Sequence, residues 1–134
     1  MKLLLTTLAI VYLSLFMSLQ AQEQVRVIPY PTEVTMQAET CKLKSGQKIH
    51  YLDASLYKEA AFLEKELADL NYKMKVIPGK KAAKGINLSL DNRLQNKEGY
   101  QLIIAPKQVL IKGGSPAGVF YGIQTLLQQL TYGD

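Results

Sequence analysis

Tryptophan is missing from this sequence, and cysteine and histidine occur once each, as Cys41 and His50. A single cysteine excludes an intramolecular disulfide, and Cys41 reads as a small buried hydrophobe. His50 lies in a strand-like stretch with no Asp, Glu or Cys at ligand spacing. That leaves no metal site, and no paired base for a serine or cysteine nucleophile. No cofactor site is expected either. Gly113-Gly114-Ser115 comes nearest to a phosphate cradle, and it lacks the lysine and the spacing that such a loop needs. Asp91 and Glu98 flank one loop, where two acids are ordinarily just solvated chain. No Asp-Glu dipeptide occurs anywhere, and no charged residue falls between Lys112 and Asp134.

What is present begins with a leader. Lys2 precedes an almost unbroken apolar run from Leu3 to Met17, and Ser18-Leu19-Gln20-Ala21 offers a small residue for cleavage. Residues 1–21 therefore read as a secretory signal peptide, which implies an exported protein, periplasmic or extracellular. The run is shorter than the ~20 residues of a spanning helix, so no stable membrane anchor is expected. Without its first 21 residues the 134-residue chain keeps 113, enough for one domain, and its net charge of +5 becomes +4 once Lys2 is gone. The surplus gathers in Lys73, Lys75, Lys80, Lys81 and Lys84. These lysines are not interleaved with stacking aromatics, and no nucleic-acid-binding motif accompanies them, which excludes that partner. Gly79 to Gly85 reads as a solvated loop between strands.

Extended structure is expected at Val25–Ile28, at Val34–Gln37 and Cys41–Lys44 around a turn, and at Lys48–Leu52; Pro29 and Pro31 keep the entry at a sheet edge. A helix is predicted over Ser55–Leu70, capped by Asp53 or Ser55. Its buried stripe is Leu56, Ala60, Leu63, Leu67 and Leu70, and its charged face carries Glu59, Glu64, Lys65, Glu66 and Asp69. Strands follow at Lys73–Ile77, Ile86–Leu90, Tyr100–Ala105 and Gln108–Lys112, the last two joined by a tight link at Pro106-Lys107. Strands and helices in this order, without regular alternation, predict an α+β two-layer domain: a mixed, mainly antiparallel sheet with two helices packed on one face.

The final helix, opened by Ser115 as cap and Pro116 in its first turn, differs from the first. Val119, Phe120, Ile123, Leu126, Leu127 and Leu130 form its apolar side. Tyr121, Gln124, Thr125, Gln128 and Gln129 form a polar side without charge. A helix face turned to bulk water normally carries Lys, Arg or Glu, so these five residues read as a domain interface. Gly118 and Gly122, one turn apart, leave a flat strip that another backbone can approach closely.

Two stretches resemble a known family. Val27-Ile28-Pro29-Tyr30-Pro31-Thr32-Glu33-Val34 is similar to the opening IP-x-P segment of bacterial β-N-acetylhexosaminidases of glycoside hydrolase family 20. Gly99-Tyr100-Gln101-Leu102, with Gly118 to Gln128, resembles the GY-x-L and G-x-FYG-x-QTL-x-Q signature that closes that family's N-terminal domain. The resemblance covers essentially all of residues 22–134. It implies a non-catalytic module packed against a (β/α)8 barrel, supplied in cis or separately encoded, that holds the active site.

Catalysis in that family is substrate-assisted, an exception to the two-carboxylate scheme. It requires an Asp-Glu pair on a barrel strand, inside a pocket walled by tryptophan. This chain has neither, so no catalytic residue carries over, and the barrel is absent from residues 22–134. Three readings stand: the accessory domain of a secreted β-N-acetylhexosaminidase, a freestanding carbohydrate-binding or assembly module, and the equivalent domain of a family 84 glycosidase. The FYG-x-QTL form favours family 20. Pure chain is expected to leave a chromogenic N-acetylglucosaminide uncleaved, and turnover above the blank in a discontinuous assay would overturn that reading.

Overall fold

The computed structural model describes residues 41–132. The leader at 1–21 and the extended segments expected at Val25–Ile28 and Val34–Gln37 lie outside the described residues. Five strands and two helices follow in order: β1 (Lys48–Tyr51), α1 (Tyr57–Asp69), β2 (Lys75–Pro78), β3 (Gly85–Leu90), β4 (Tyr100–Ala105), β5 (Gln108–Gly113) and α2 (Pro116–Tyr132). Among the described residues no helix is long and apolar enough to cross a membrane.

No strand forms at Cys41–Lys44. Local bonds take its place: the Lys44 N–H donates to Gln47 Oε1, and the Gly46 N–H, at φ 90°, donates to the Lys73 carbonyl. Cys41 is half-buried against the core, and that burial pushes its thiol pKa up.

Asp53 opens the first helix as expected. Its carboxylate accepts from the Ser55 N–H at 2.9 Å and starts a 3-10 turn, Ala54–Leu56, that runs into α1. Asn71 closes the helix in the left-handed region at φ 66°. Its N–H bonds the Ala68 carbonyl while the Tyr72 N–H bonds that of Leu67, the paired closure that satisfies two terminal carbonyls. Leu56, Ala60, Leu63 and Leu67 are fully buried, and Leu70 is half-buried.

The sheet order is β2-β1-β3-β5-β4. β1 pairs with β2 and β3 in parallel, β3 pairs with β5 in parallel, and β4 alone runs antiparallel, against β5. The two-layer α+β architecture and the mixed sheet are as expected, but the sheet is mainly parallel rather than mainly antiparallel. The reason lies in two connections. After β1 the chain crosses through α1 and returns in the same direction as β2. It then crosses back over β1 in only six residues, 79–84, to enter β3 parallel again. Parallel links normally take a dozen residues or more. This one runs across the face opposite the helices, where Asn87 on β3 holds it. An outward crossover on one face and a return on the other share one hand, as strand twist demands.

Asn87 holds that short crossover in place. It is fully buried and alternates with Ile86 and Leu88, so it points away from the helices. Its Oδ1 accepts from the Ala83 N–H at 2.8 Å, and its Nδ2 donates to the Ala83 carbonyl at 2.7 Å and to the Val109 carbonyl at 3.3 Å. On the other face Ile49, Ile86, Leu88, Val109 and Ile111 meet α1 and α2 through Leu56, Leu63, Leu67, Val119, Ile123 and Leu126, all essentially without exposure.

Replacing Asn87 by alanine leaves the Ala83 groups unmatched and is expected to lower stability by about 1–3 kcal/mol. Urea denaturation reads the loss. Trypsin should also cut faster at Lys80, Lys81 and Lys84; unchanged stability and cleavage would show that the crossover does not depend on this side chain.

Candidate docking face

The geometry of α2 starts with how closely it sits on the sheet. A Cβ at Gly118 would overlap the Gly99 carbonyl oxygen, and one at Gly113 would overlap the Val119 backbone nitrogen. At Gly122 it would come within 2.5 Å of Ile111 Cγ2. The flat strip of Gly118 and Gly122 therefore does admit a backbone at close range, but that backbone is the protein's own, at the entrance to β4. Thr125 continues the same row one turn on. It is buried, and its hydroxyl shares a 2.6 Å hydrogen bond with the Tyr100 hydroxyl.

Two of the five residues expected at the interface thus face differently from the rest. Thr125 is turned onto β4, and half-buried Gln129, one turn further, follows it along that side. Tyr121, 41% exposed, lies on the outer surface of the helix layer with Gln124 and Gln128, both half-buried. Phe120 was expected inward and is instead 37% exposed, because Val119 and Ile123 fill the space over the sheet. Its ring lies 5.2 Å from that of Phe62 on α1 and 6.2 Å from that of Tyr121. Tyr57, 57% exposed, stacks edge-on with Tyr51 at 5.8 Å.

An aromatic seam, Phe62-Phe120-Tyr121, therefore runs between the helices on their outer side, bordered by neutral glutamines. Sequence reasoning missed Phe62 and Phe120. The signal was there: Phe62 falls off the α1 stripe, and adjacent Phe and Tyr on a helix stand about 100° apart and cannot both face one sheet. Glu59, one turn before Phe62, keeps one carboxylate oxygen buried without a hydrogen-bond partner.

The remaining candidates lie apart from this surface and from one another. His50 sits on the face opposite the helices, beside Gly79. Among the described residues no three of His, Cys, Asp and Glu group closely enough to hold a metal ion. Asp91 and Glu98 do not act as a pair. The Arg93 guanidinium grips Asp91 at 2.7 and 2.9 Å and holds its carboxyl far below the usual carboxylate range, so Asp91 has no proton to give near neutral pH. The backbone N–H of Glu98 bonds Asn96 within the same loop. Ser115 ties that loop to α2: its hydroxyl donates to the Lys97 carbonyl at 2.6 Å, while its own carbonyl accepts from the Val119 N–H at 3.1 Å.

A family model described as glycosyl hydrolase family 20, domain 2, matches residues 24–133. No curated protein matches the chain. Among solved structures, the chain is similar to the family 20 β-N-acetylhexosaminidase of Streptomyces coelicolor, with 32% identity over 78% of this chain and 21% of that one, at a TM-score of 0.63. A β-hexosaminidase of Streptomyces plicatus gives 34% identity over the same shares, with a TM-score of 0.62. A β-N-acetylhexosaminidase of Bacteroides fragilis, at 19% identity and a TM-score of 0.62, shares the fold. The chain spans about a fifth of the length of the Streptomyces enzymes.

Alanine is favoured over glycine by about 1 kcal/mol inside a helix. Gly118→Ala is nevertheless expected to lower stability by about 1–2 kcal/mol, since overpacking against a backbone carbonyl outweighs that gain. A thermal or urea midpoint equal to or above that of the parent chain would show that α2 does not seat on Gly99.

Proposed function

The chain belongs to glycosyl hydrolase family 20, domain 2, and we propose that it serves as the accessory N-terminal domain of a secreted β-N-acetylhexosaminidase. In this reading the domain contributes no catalytic residue. It supports a (β/α)8 barrel that removes terminal N-acetylhexosamine residues, and the leader at 1–21 exports it. The observation that carries the proposal is the outer surface of the helix layer. Phe120 and Tyr121 are exposed beside Phe62, and α2 has no charged residue along its length. Exposed aromatic area beside an uncharged helix face is what the centre of a protein–protein interface is made of.

The chemistry assigns each part a task. Burying Phe120 and Tyr121 against the barrel supplies the apolar contribution, about 25 cal/mol for each Å² removed from water. Gln124 and Gln128 pair with polar groups at lower desolvation cost than lysine or glutamate would incur. Thr125 acts from within, its hydrogen bond to Tyr100 fixing α2 on β4 so that the outer seam keeps its shape. The barrel, not this domain, supplies the acid and the amide-positioning carboxylate.

An immunoblot of the source cells with antibody to this domain tests the arrangement. A band several times larger than the 15.0 kDa of this chain supports a domain joined to its barrel; a band at that size overturns the joined form. At the residue level, Tyr121→Lys in the assembled enzyme is expected to cost about 2 kcal/mol or more of domain association, as interface aromatics do. Loss should appear as a separate, earlier unfolding transition of the domain in calorimetry, and a single unshifted transition would sink the docking assignment.

A further inference from the structure

The face of the sheet opposite the helices differs in charge from the helix layer. Strands β1 to β5 contain no Asp or Glu. Lys48 and Lys75 are exposed and lie in register on neighbouring parallel strands. They alternate with Ile49 and Val76, which face the core, so both lysines stand on the open side. The crossover 79–84, held over that side by Asn87, adds exposed Lys80, Lys81 and Lys84.

Like charges side by side on adjacent strands repel. An ordinary surface relieves this with interspersed carboxylates, and here it does not. Among the described residues the ion pair is that of Arg93 with Asp91, and none of these five lysines has one. The acids sit elsewhere: α1 carries Glu59, Glu64, Glu66 and Asp69 against Lys58 and Lys65. Of these, Glu64 reaches the edge of β2, where its carboxylate accepts from the Val76 N–H at 3.4 Å without pairing with Lys75. The strand residues that share the open face, among them His50, Ile77, Asn87, Leu110 and Ile103, include no Phe, Tyr or Trp. Among the described residues, therefore, the strands offer no stacking platform on this face for nucleobases or for neutral sugar rings. It offers a flat array of ammonium groups on flexible stems.

We propose that this face binds an anionic glycan, sulfated or carboxylated, through Lys48, Lys75, Lys80, Lys81 and Lys84. A lysine-rich segment of this kind suits heparin-like polymers, and membership of a glycosyl hydrolase family favours a polysaccharide over other polyanions. The inference goes beyond the accessory role and holds whether or not the helix layer docks a barrel.

Titration of the full chain with heparin by calorimetry tests it. Binding is expected at low salt and should weaken steeply as salt rises. The variant Lys80→Glu, Lys81→Glu, Lys84→Glu should bind roughly ten-fold more weakly or worse. A charge-matched control, Lys58→Glu, Lys65→Glu, Lys97→Glu, should stay within about two-fold of the parent chain, because the changes lie away from the face. The neutralising pair Lys48→Gln, Lys75→Gln gives a second reading from the strands themselves, with circular dichroism confirming the fold of each. Absence of heparin binding, an equal loss in the control, or duplex DNA bound as tightly as heparin would each overturn the proposal.

Discussion

The close seating of α2 on β4 and β5 is the constraint from which the rest of the molecule follows. Gly113, Gly118 and Gly122 remove the side chains that would otherwise hold the helix a methyl group or more further out. With the helix that low, Val119, Ile123 and Leu126 fill the space above Val109 and Ile111 completely. Thr125 comes within hydrogen-bond reach of Tyr100. The same low seat leaves no room on the sheet side for Phe120, which is displaced toward α1 and meets Phe62. The aromatic seam on the outside is thus a consequence of the glycines on the inside.

A second constraint acts from the other face. The link between β2 and β3 is short for a parallel connection, and it stays on the sheet because Asn87 supplies both an acceptor and a donor to the backbone of Ala83. A buried polar group in the middle of a sheet is costly unless satisfied, and here it is satisfied by the loop that covers it. The helix layer and the crossover leave two unlike surfaces, one with an aromatic seam between an acidic helix and an uncharged one, the other flat and basic.

Much of the fold was legible from residues alone. The α1 stripe of Leu56, Ala60, Leu63 and Leu67, the cap at Asp53 and the strand at Tyr100–Ala105 stand where periodicity and turn chemistry place them. So does the mixed two-layer plan. Strand direction was not legible. Whether Gly79 to Gly85 turns back or crosses over depends on where β3 finds its partners, and pairing is a non-local choice between β1, β2 and β5. The same limit applies to α2. Its glycines signal a close backbone, yet only the packed sheet shows that this backbone is Gly99 and not a partner's.

The sequence by itself determined most of the elements and, through its closing signature, the family to which the chain belongs. These depend on residue type and on spacing within one segment, which a linear reading contains. Tertiary structure alone decided which side of each helix is free. It turned Thr125 inward and Phe120 outward, because a helix is oriented by all its contacts at once, and the deepest fit over the sheet wins over the neatest apolar stripe. It also gathered lysines from two strands and a crossover onto one face. Residues far apart in the chain become neighbours only when the sheet is assembled.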